Sequence, residues 1–546
     1  MNNTMRADTP VSTTCSRRAV LLNALGAGLG IALLSACGGA PAATVTAGSS
    51  SQAAASAPSG SVSAVASSSR LAATSSSSAA TSTAPAPASQ VSAKPLSIRM
   101  MAGDYTPVQQ SGTTAAPPQY ITKLVSMYQQ SHPGFKVDWV VLNNGGQSDT
   151  DVWITTQLAG GNPPDIINWQ SARIEGILKE KVFQPLDSYL AKPNPYEPGN
   201  TQWLASFNPL IMPGKKLVDG QQYVIPLDLV VTGIIYNKQA FAKAGITTPG
   251  DWKAWMDQTP VVKSKADLVP ISWWMKSDVS RWQWSFACFQ DIFLDKKLSS
   301  GEITGQPLKR SGNWEVSKED LARAVKKGTY AATMPEYQDI LRVFKDWTPA
   351  FTPGFVGIDS ATGQRSFIDG QAAQIWGHTG IYRNFKLDTQ RKFDMGVFMP
   401  PTITSATSQY ATTSFPFVGG ATATQWAIPT ADIKRANADG VVDWLMFLTA
   451  AKNAGPLVND FGGYAPNIVG APVAADLQVF MDGTKNGTFR ISNDNPLTLQ
   501  YKDQHNRIGQ LFLSGSMTQQ QAVAEIQKNM VAAADQLFHD NPTWKP

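Results

Sequence analysis

The segment KPLSIRMMAG (Lys94–Gly103) alternates apolar and polar side chains and predicts a strand. It is followed by YITKLVSMYQQSHPG (residues 120–134), whose apolar residues recur with the period of a helix that ends at Pro133–Gly134. The next three segments, FKVDWVVL, DVWITTQLAGG and PDIINW, continue as strand, helix and strand. This alternation predicts an α/β fold built on a parallel sheet.

Ligands on such sheets bind beyond the carboxyl ends of the strands. Two predicted strand ends therefore supply candidate site residues. Asp104 and Tyr105 follow the first strand, and the third strand ends in Asn168, Trp169 and Gln170. We expect Trp169→Ala to weaken ligand binding about tenfold and to leave the melting temperature nearly unchanged.

The N-terminus has the pattern of an export signal. In SRRAVLLNALGAGLGIALLSACGGA, paired arginines precede a short apolar run and the small residues before Cys37. The arginine pair resembles a twin-arginine signal, although Sec signals also carry basic residues there. Leu-Ser-Ala-Cys resembles a bacterial lipobox. Residues 1–36 are therefore predicted to be a signal peptide, with Cys37 acylated.

The following segment, residues 37–94, is predicted to be a disordered tether because it consists almost entirely of Ala, Ser, Gly, Thr, Pro and Val. The chain has three cysteines, and Cys288 is the only one beyond the signal and lipobox, so no intramolecular disulfide is expected. A formal net charge of +5 without a basic run argues against a nucleic-acid partner. The length of the rest suggests two domains.

Several later segments resemble the family 1 extracellular solute-binding proteins, the sugar receptors of ABC importers related to maltose-binding protein. The resemblance covers residues 95–470, in the order of the family. It rests on GGNPPDIINW, DGQQYVIPLDLVVTGIIYNKQAFAKAGITTPGDW, FIDGQAAQIWGHTGIYRNF, FDMGVFMPPT and FPFVGGATATQWAIPTA. The region 285–350 departs from it and is predicted to hold one lobe helix after an extended loop.

The resemblance implies a type II periplasmic-binding-protein fold, with two lobes, each a mostly parallel sheet flanked by helices, and a ligand cleft between them. Lobe 1 would comprise 95–229 and 425–465, and lobe 2 would comprise 234–418 and 470–546. The hinge crossings would be 230–233, 419–424 and 466–469. The pair Gly419–Gly420 would either give the second crossing conformational freedom or form a strand bulge.

Sugar binding needs flat aromatic surfaces for C–H faces and polar groups for hydroxyls. The chain has 16 Trp, and ISWWMKSDVSRWQWSFACF (Ile271–Phe289) holds four of them. In a strand, Trp273 and Trp274 would point to opposite faces, one into the core and one to the cleft. Trp282 and Trp284 are further candidates, although a helix starting near Ser280 would scatter the later rings.

Further candidates come from position within the resembling segments. Asp228 either binds hydroxyls or caps the hinge. Trp376, His378 and Arg383 precede or enter a predicted helix start, which can offer N–H groups to ligand oxygens. Tyr464 follows Gly462–Gly463 at the third crossing.

These observations predict a monomeric, non-enzymatic receptor that is lipid-anchored through Cys37 at the outer face of the cytoplasmic membrane, in an extracellular or periplasmic location. Its partners would be a mono- or oligosaccharide and an ABC-transporter permease, and no cofactor or metal is expected. Polyols and glycerol phosphate stay open as ligands. The alternatives are a secreted glycoside hydrolase, which needs two juxtaposed carboxylates, and a cell-surface lectin.

Overall fold

The computed structural model describes residues 95–109, 116–142, 147–276, 278–308, 316–411, 420–430, 438–487, 489–492 and 497–545. All of these residues belong to one compact unit. The predicted signal peptide, Cys37, the tether up to residue 94 and Gly419 lie outside the described residues. Among the helices that the structure does describe, none combines the length and apolar character needed to span a bilayer.

The strands are β1 Ser97–Met100, β2 Lys136–Trp139, β3 Ile167–Asn168, β4 Val224–Pro226, β5 Asp228–Asn237, β6 Val269–Ser272, β7 Ala372–His378, β8 Met395–Phe398, β9 Gly420–Ala421, β10 Gln425–Ala427 and β11 Ala465–Pro466. The helices of the first half are α1 Tyr120–Gln129, α2 Gln147–Gly160, α3 Ser171–Gly176, α4 Asp187–Leu190, α5 Lys238–Ala244, α6 Trp252–Val261, α7 Ser280–Phe293 and α8 Asp295–Ser300. Those of the second half are α9 Lys318–Lys327, α10 Pro335–Trp347, α11 Ser360–Ile368, α12 Thr379–Leu387, α13 Ala438–Leu448, α14 Ala451–Phe461, α15 Gln478–Gly483, α16 Leu499–Ser514 and α17 Gln519–Asp540.

The first strands and helices form the predicted parallel unit. β1 pairs with β2 in parallel, and Met100 makes a further parallel bridge to Ile166, just before β3. Between the strands, α1 buries Ile121, Leu124 and Tyr128, the apolar positions that its periodicity predicts. The predicted α/β class is therefore confirmed for this part of the chain.

The expectation that each sheet is mostly parallel is wrong. The long strand β5 pairs antiparallel with β7, β8, β9 and β11, and β10 pairs antiparallel with β3 and β4. Besides the first unit, only β6 and β7 form a parallel ladder among the described strands. The reason is that the later segments of the chain that pair with β5 run in the direction opposite to it.

The described unit contains two main hydrophobic cores, and β5 runs from one to the other. The N-terminal core packs Ile98, Tyr128 and further buried side chains around α13 and α14, and it includes Val230 of β5. The large core is built around α7, α10 and α16, and it includes Ile234 of β5. Only three residues of β5 thus separate side chains that belong to different cores, which is the arrangement of two lobes joined by a chain crossing.

The region around 285–350 differs from the prediction of one helix after an extended loop. It contains the end of α7, then α8, α9 and α10. Ser317 caps the N-terminus of α9, and Gly328 caps its C-terminus with a φ of 73°, in the left-handed region. α10 begins with Pro335 in its first turn. These stop and start residues divide what the sequence analysis treated as a single helix.

We expect His505 to make the large core sensitive to acid. Its ring lies between Trp282 and Tyr337, with the Trp282 Nε1 donating to Nδ1 over 3.2 Å. Burial lowers its pKa to about 3. Because the unfolded chain takes up the proton at a pKa of about 6.5, the contribution to stability is present above pH 6.5 and is lost as the pH falls. At pH 5 the loss from His505 is about 2 kcal/mol.

The measurement is urea unfolding of the wild type and His505→Gln at pH 7 and pH 5. The glutamine variant should lose about 2 kcal/mol less between the two pH values than the wild type does. His378, whose burial lowers its pKa to about 4, acts in the same direction and remains in both proteins. Equal losses in the two proteins would show that the His505 ring does not carry this acid sensitivity.

Candidate functional site

A cavity of about 230 Å³ lies where β5 passes between the two cores. It is formed by the middle of β5, the turn before β10, the turn after α14, and the N-terminal ends of α7 and α12. Its lining residues are Val230, Thr232, Asp278, Ser280, Arg281, Trp284, Trp376, Gly377, His378, Ile381, Ala423 and Tyr464. The cavity thus combines two indole rings with several polar side chains.

The start of α7 provides one wall of the cavity. The carboxylate of Asp278 accepts hydrogen bonds from the Ser280 backbone N–H and from Trp274 Nε1, each over 3.0 Å. The guanidinium of Arg281 lies over the ring of Trp274. Burial tends to raise the pKa of Asp278, but the charge of Arg281 and the bonds from Ser280 and Trp274 lower it below its ordinary value. Asp278 is therefore an anion at neutral pH.

Trp284 belongs to the same helix, one turn after Ser280 and Arg281. Its partly buried ring packs against both the N-terminal core and the large core. Because residues three and four positions apart share a helix face, Arg281 and Trp284 both reach the cavity. The ring therefore lies at the junction between the lobes.

The end of β7 and the start of α12 form the next wall. Trp376 lines the cavity and is stacked on Trp273 of the large core, with ring centroids 5.9 Å apart and planes 14° apart. His378 precedes α12 as its N-cap residue. Burial, reinforced by the nearby charge of Arg281, lowers the pKa of His378 to about 4. This ring is therefore neutral at pH 7.

Two carboxylates, the half-buried Asp104 and the fully buried Asp228, support the remaining wall. Tyr464, which lines the cavity, donates its hydroxyl to Asp104 over 2.7 Å. Tyr105 donates its hydroxyl to Asp228 over 2.8 Å. The loop that carries Asp104 and Tyr105 turns at Gly103, whose φ of 68° lies in the left-handed region. The Asn168 side chain lies so close to Gly103 that a Cβ atom would not fit there.

Asp228 also connects the start of β5 with the segment before β10. Its other oxygen accepts hydrogen bonds from the backbone N–H groups of Ala423 and Thr424, each over 2.9 Å. Burial raises the pKa of Asp228 to about 6, and the bonds from Thr424 and Tyr105 oppose that rise. Burial likewise raises the pKa of Asp104. Both carboxylates bind protein groups in this structure, and Asp228 joins two segments that are distant in the chain.

The structure brings three of the predicted site residues to the cavity: Trp376, His378 and Tyr464. Asp104, Tyr105 and Asp228 lie behind this wall as partners of Tyr464 and of the crossings. Asn168 accepts from the N–H of Gln425 in β10, and Gln170 donates to the Ala423 carbonyl just before that strand. Arg383 stacks on Phe461, and Gly420 pairs with Val231 in a β ladder; neither lines the cavity.

Four of the predicted aromatic residues lie in hydrophobic cores and not in the lining of the cavity. Trp169, Trp273, Trp274 and Trp282 are all buried and none lines the cavity. The ring of Trp169 packs near Phe183, and its Nε1 donates to Asp151 over 2.8 Å. Trp273 stacks on Phe351 with ring centroids 4.2 Å apart. These indoles fill hydrophobic cores, which is the commoner use of tryptophan.

Asp278, Ser280 and Arg281 line the cavity without having been predicted as site residues, and Trp284 was predicted only as one of four candidate rings. The signal was available in the helix that the sequence allows after Ser280. A helix with that start puts Arg281 and Trp284 on one face at its exposed end. Among the described residues, no group of three or more His, Cys, Asp or Glu side chains is placed to hold a metal ion.

The sequence model of the family described as "Bacterial extracellular solute-binding protein" matches residues 111–455. A solved structure of a chitin oligosaccharide binding protein is similar, with a TM-score of 0.58, 19% identity, and coverage of 81% of this chain and 98% of that chain. A family 1 extracellular solute-binding protein from Bifidobacterium longum subsp. infantis has a TM-score of 0.55 and 15% identity, with 80% and 98% covered.

The cyclic alpha-maltosyl-1,6-maltose binding protein from Arthrobacter globiformis also has a TM-score of 0.55, with 13% identity and with 81% of this chain and 100% of that chain covered. At these identities the similarity establishes the two-lobed fold. A search of curated proteins finds no match to the sequence.

Proposed function

The chain belongs to the bacterial extracellular solute-binding protein family, and from that premise we propose that it binds a mono- or oligosaccharide in the cavity between its lobes and delivers it unchanged to an ABC-importer permease. The observation that carries the proposal is the cavity at the β5 crossing, lined by Trp284 and Trp376 together with polar groups. Indole faces suit the C–H faces of pyranose rings, and hydroxyls can bind Asp278 and Arg281.

The proposed lobes are those expected from the sequence: 95–229 with 425–465, and 234–418 with 470–546. The crossings are 230–233, 419–424 and 466–469. The change of core along β5 supports the first crossing, and the pairing of β9 and β11 with β5 supports the other two. Closure of the lobes around the sugar would bury it against Trp284, whose ring packs on both cores.

We also propose that the mature protein is a monomer anchored by lipid on Cys37 to the outer face of the cytoplasmic membrane, after export through the twin-arginine or Sec route. The order of signal, Cys37 and tether in the sequence supports this location. Metabolic labelling with a radioactive fatty acid tests it directly. Cys37→Ser should abolish the label and release the protein from the membrane fraction.

A binding role also agrees with the charges at the cavity. Of the described residues that line it, Asp278 is the only one with a carboxyl group. Glycoside hydrolysis typically uses two carboxyl groups about 5–10 Å apart across the scissile bond. The other nearby carboxylates, Asp104 and Asp228, accept hydrogen bonds from Tyr464, Tyr105 and the second crossing. We therefore propose no catalytic step.

The test of this function is a thermal-shift panel of neutral and charged mono- and oligosaccharides, with peptides and polyamines as controls. A saccharide at about 100 times its dissociation constant should add about 2.7 kcal/mol to stability. Chromatography of the saccharide after incubation should recover it unchanged. A panel in which peptides or polyamines raise the melting temperature and no saccharide does would contradict the proposed ligand class.

We expect Trp284→Ala to weaken binding of the saccharide that gives the largest shift by at least about tenfold, because the ring lies at the lobe junction. Trp169→Ala is the matched control. It removes an indole that lies in a core, so it should lower the melting temperature and change the affinity less than about twofold. Titration calorimetry and thermal unfolding measure both variants. Reversed outcomes would assign Trp169 to the site and Trp284 to packing.

A further inference from the structure

Arg281 is an unusual cavity residue because its charged group is almost completely buried. The side chain is 5% exposed, and it lines the cavity from the first turn of α7. Two of its donors, Nε and Nη2, are buried and have no hydrogen-bond partner among the described residues. These two N–H groups lie on the same edge of the guanidinium, the edge that binds both oxygens of a carboxylate or phosphate.

The neighbouring Asp278 does not satisfy this arginine. The closest Asp278 oxygen is 3.9 Å from Arg281 Nη1, which is beyond hydrogen-bond distance. Asp278 makes no hydrogen bond to Nε or to Nη2. Its two oxygens already accept from Ser280 and Trp274. Burial lowers the pKa of Arg281 to about 9, and the charge of Asp278 offsets only part of that effect. A buried cation with unbound donors is unfavourable until an anion binds it.

Two helix N-termini meet the same cavity and add to its positive potential. α7 has 14 residues and α12 has 9, and both contribute lining residues at their first turns. Neither helix has an acidic residue in its first turn, and neither N-cap residue, Val279 or His378, makes a side-chain capping bond. The free N–H groups of such a helix end favour an anion. Asp278 binds the N–H of Ser280 at one of them.

From this geometry we infer that the saccharide is anionic, and that its carboxylate or phosphate binds the Nε–Nη2 edge of Arg281 near the N-termini of α7 and α12. The inference rests on the proposed function, which it makes more specific. A neutral hydroxyl can accept from one of these donors, but it leaves the other buried donor without a partner. A uronate or a sugar phosphate supplies two oxygens and the opposite charge.

The experiment is titration calorimetry on the mature chain, freed of bound ligand, at low ionic strength. The probes are D-glucuronate against D-glucose, D-galacturonate against D-galactose, digalacturonate, and D-glucose 6-phosphate. We expect at least one anionic probe to bind at least about tenfold more tightly than its neutral parent. A preference for uronates identifies a carboxylate, and a preference for the phosphate identifies a phosphate ester; either result supports the inference.

Variants test whether Arg281 carries the preference. Arg281→Gln should reduce the preference for the anionic probe to about twofold or less, and Arg281→Lys, which keeps the charge without the paired donors, should keep part of it. Arg342→Gln is the matched control, since this arginine is exposed on α10, and it should keep the whole preference. A variant that keeps the full preference without the Arg281 guanidinium would overturn the inference.

The outcomes separate the two proposals. Neutral sugars that bind as tightly as their anionic counterparts would overturn the anionic ligand and leave the saccharide receptor intact. Absence of heat with every sugar and oligosaccharide, in calorimetry and in the thermal-shift panel, would overturn both. If Arg281→Gln fails to fold, the comparison of acid and neutral probes on the wild type still decides the question.

Discussion

Replacing Asp228 by alanine should lower the free energy of unfolding by about 3 to 4 kcal/mol. The substitution leaves three buried donors without their acceptor: the Tyr105 hydroxyl and the backbone N–H groups of Ala423 and Thr424. Each unsatisfied donor costs about 1–3 kcal/mol. The loss is smaller than the sum because the variant no longer buries a carboxylate whose pKa is raised to about 6.

Asp228→Asn is the control that separates hydrogen bonding from charge. Its amide oxygen can accept from Ala423 and Thr424, and its amide N–H₂ can donate to the Tyr105 hydroxyl. We therefore expect it to lose about 1 kcal/mol at pH 7. Urea unfolding of both variants measures these losses. Equal losses for alanine and asparagine would mean that the acceptor oxygen is not what stabilises this crossing.

The same pair of variants tests the raised pKa of Asp228. A carboxyl with a folded pKa of about 6 and an unfolded pKa of about 3.9 contributes stability that is complete below pH 3.9 and is lost as the pH rises through 6. The wild type should lose this contribution between pH 4 and 6, and Asp228→Asn should not. His378 and His505 titrate with the opposite sign and are present in both proteins, so the difference between them isolates Asp228.

Local sequence patterns predicted the parts of the fold that depend on neighbouring residues. The helical period of residues 120–134 predicted the buried face of α1. Side chains three and four positions apart share a face of a helix in any tertiary surroundings. Trp376 and His378 were predicted from their position in a segment that resembles the family, just before a helix start, and both line the cavity at the end of β7. These residues lie at a strand end, where the fold class itself directs ligand contacts.

Features that depend on distant chain segments were not predictable in the same way. Whether Trp273 or Trp274, just after β6, faces a cleft depends on which side chains cover each ring. Phe351 stacks on Trp273, and Arg281 lies over Trp274, so both rings are covered from other parts of the chain. The direction of strand pairing along β5 likewise depends on segments that return from residues 372–466. No local period encodes either property, so neither the antiparallel pairing along β5 nor the burial of both rings was predicted.

The position of the cavity wall also depends on a distant contact, at the far end of α7. Arg490 is fully buried and donates from Nε to Asp291 over 2.6 Å and from Nη2 to Asp295 over 2.5 Å. Its Nη1 donates to Ser299 and to the Leu308 carbonyl. The segment 489–492 is thereby attached to the C-terminal end of the helix whose N-terminal end presents Arg281 and Trp284.

Arg490→Met should therefore destabilise the protein by about 3 to 5 kcal/mol, because it leaves the buried Asp291 carboxylate without its cation. In the double variant Arg490→Met with Asp291→Leu, the apolar pair removes both charges, and most of the lost stability should return. Urea unfolding of the two single variants and the double variant gives the coupling energy between the side chains. If the losses of the single variants simply add, the ion pair does not anchor α7, and the cavity wall must be held by the packing of its aromatic residues alone.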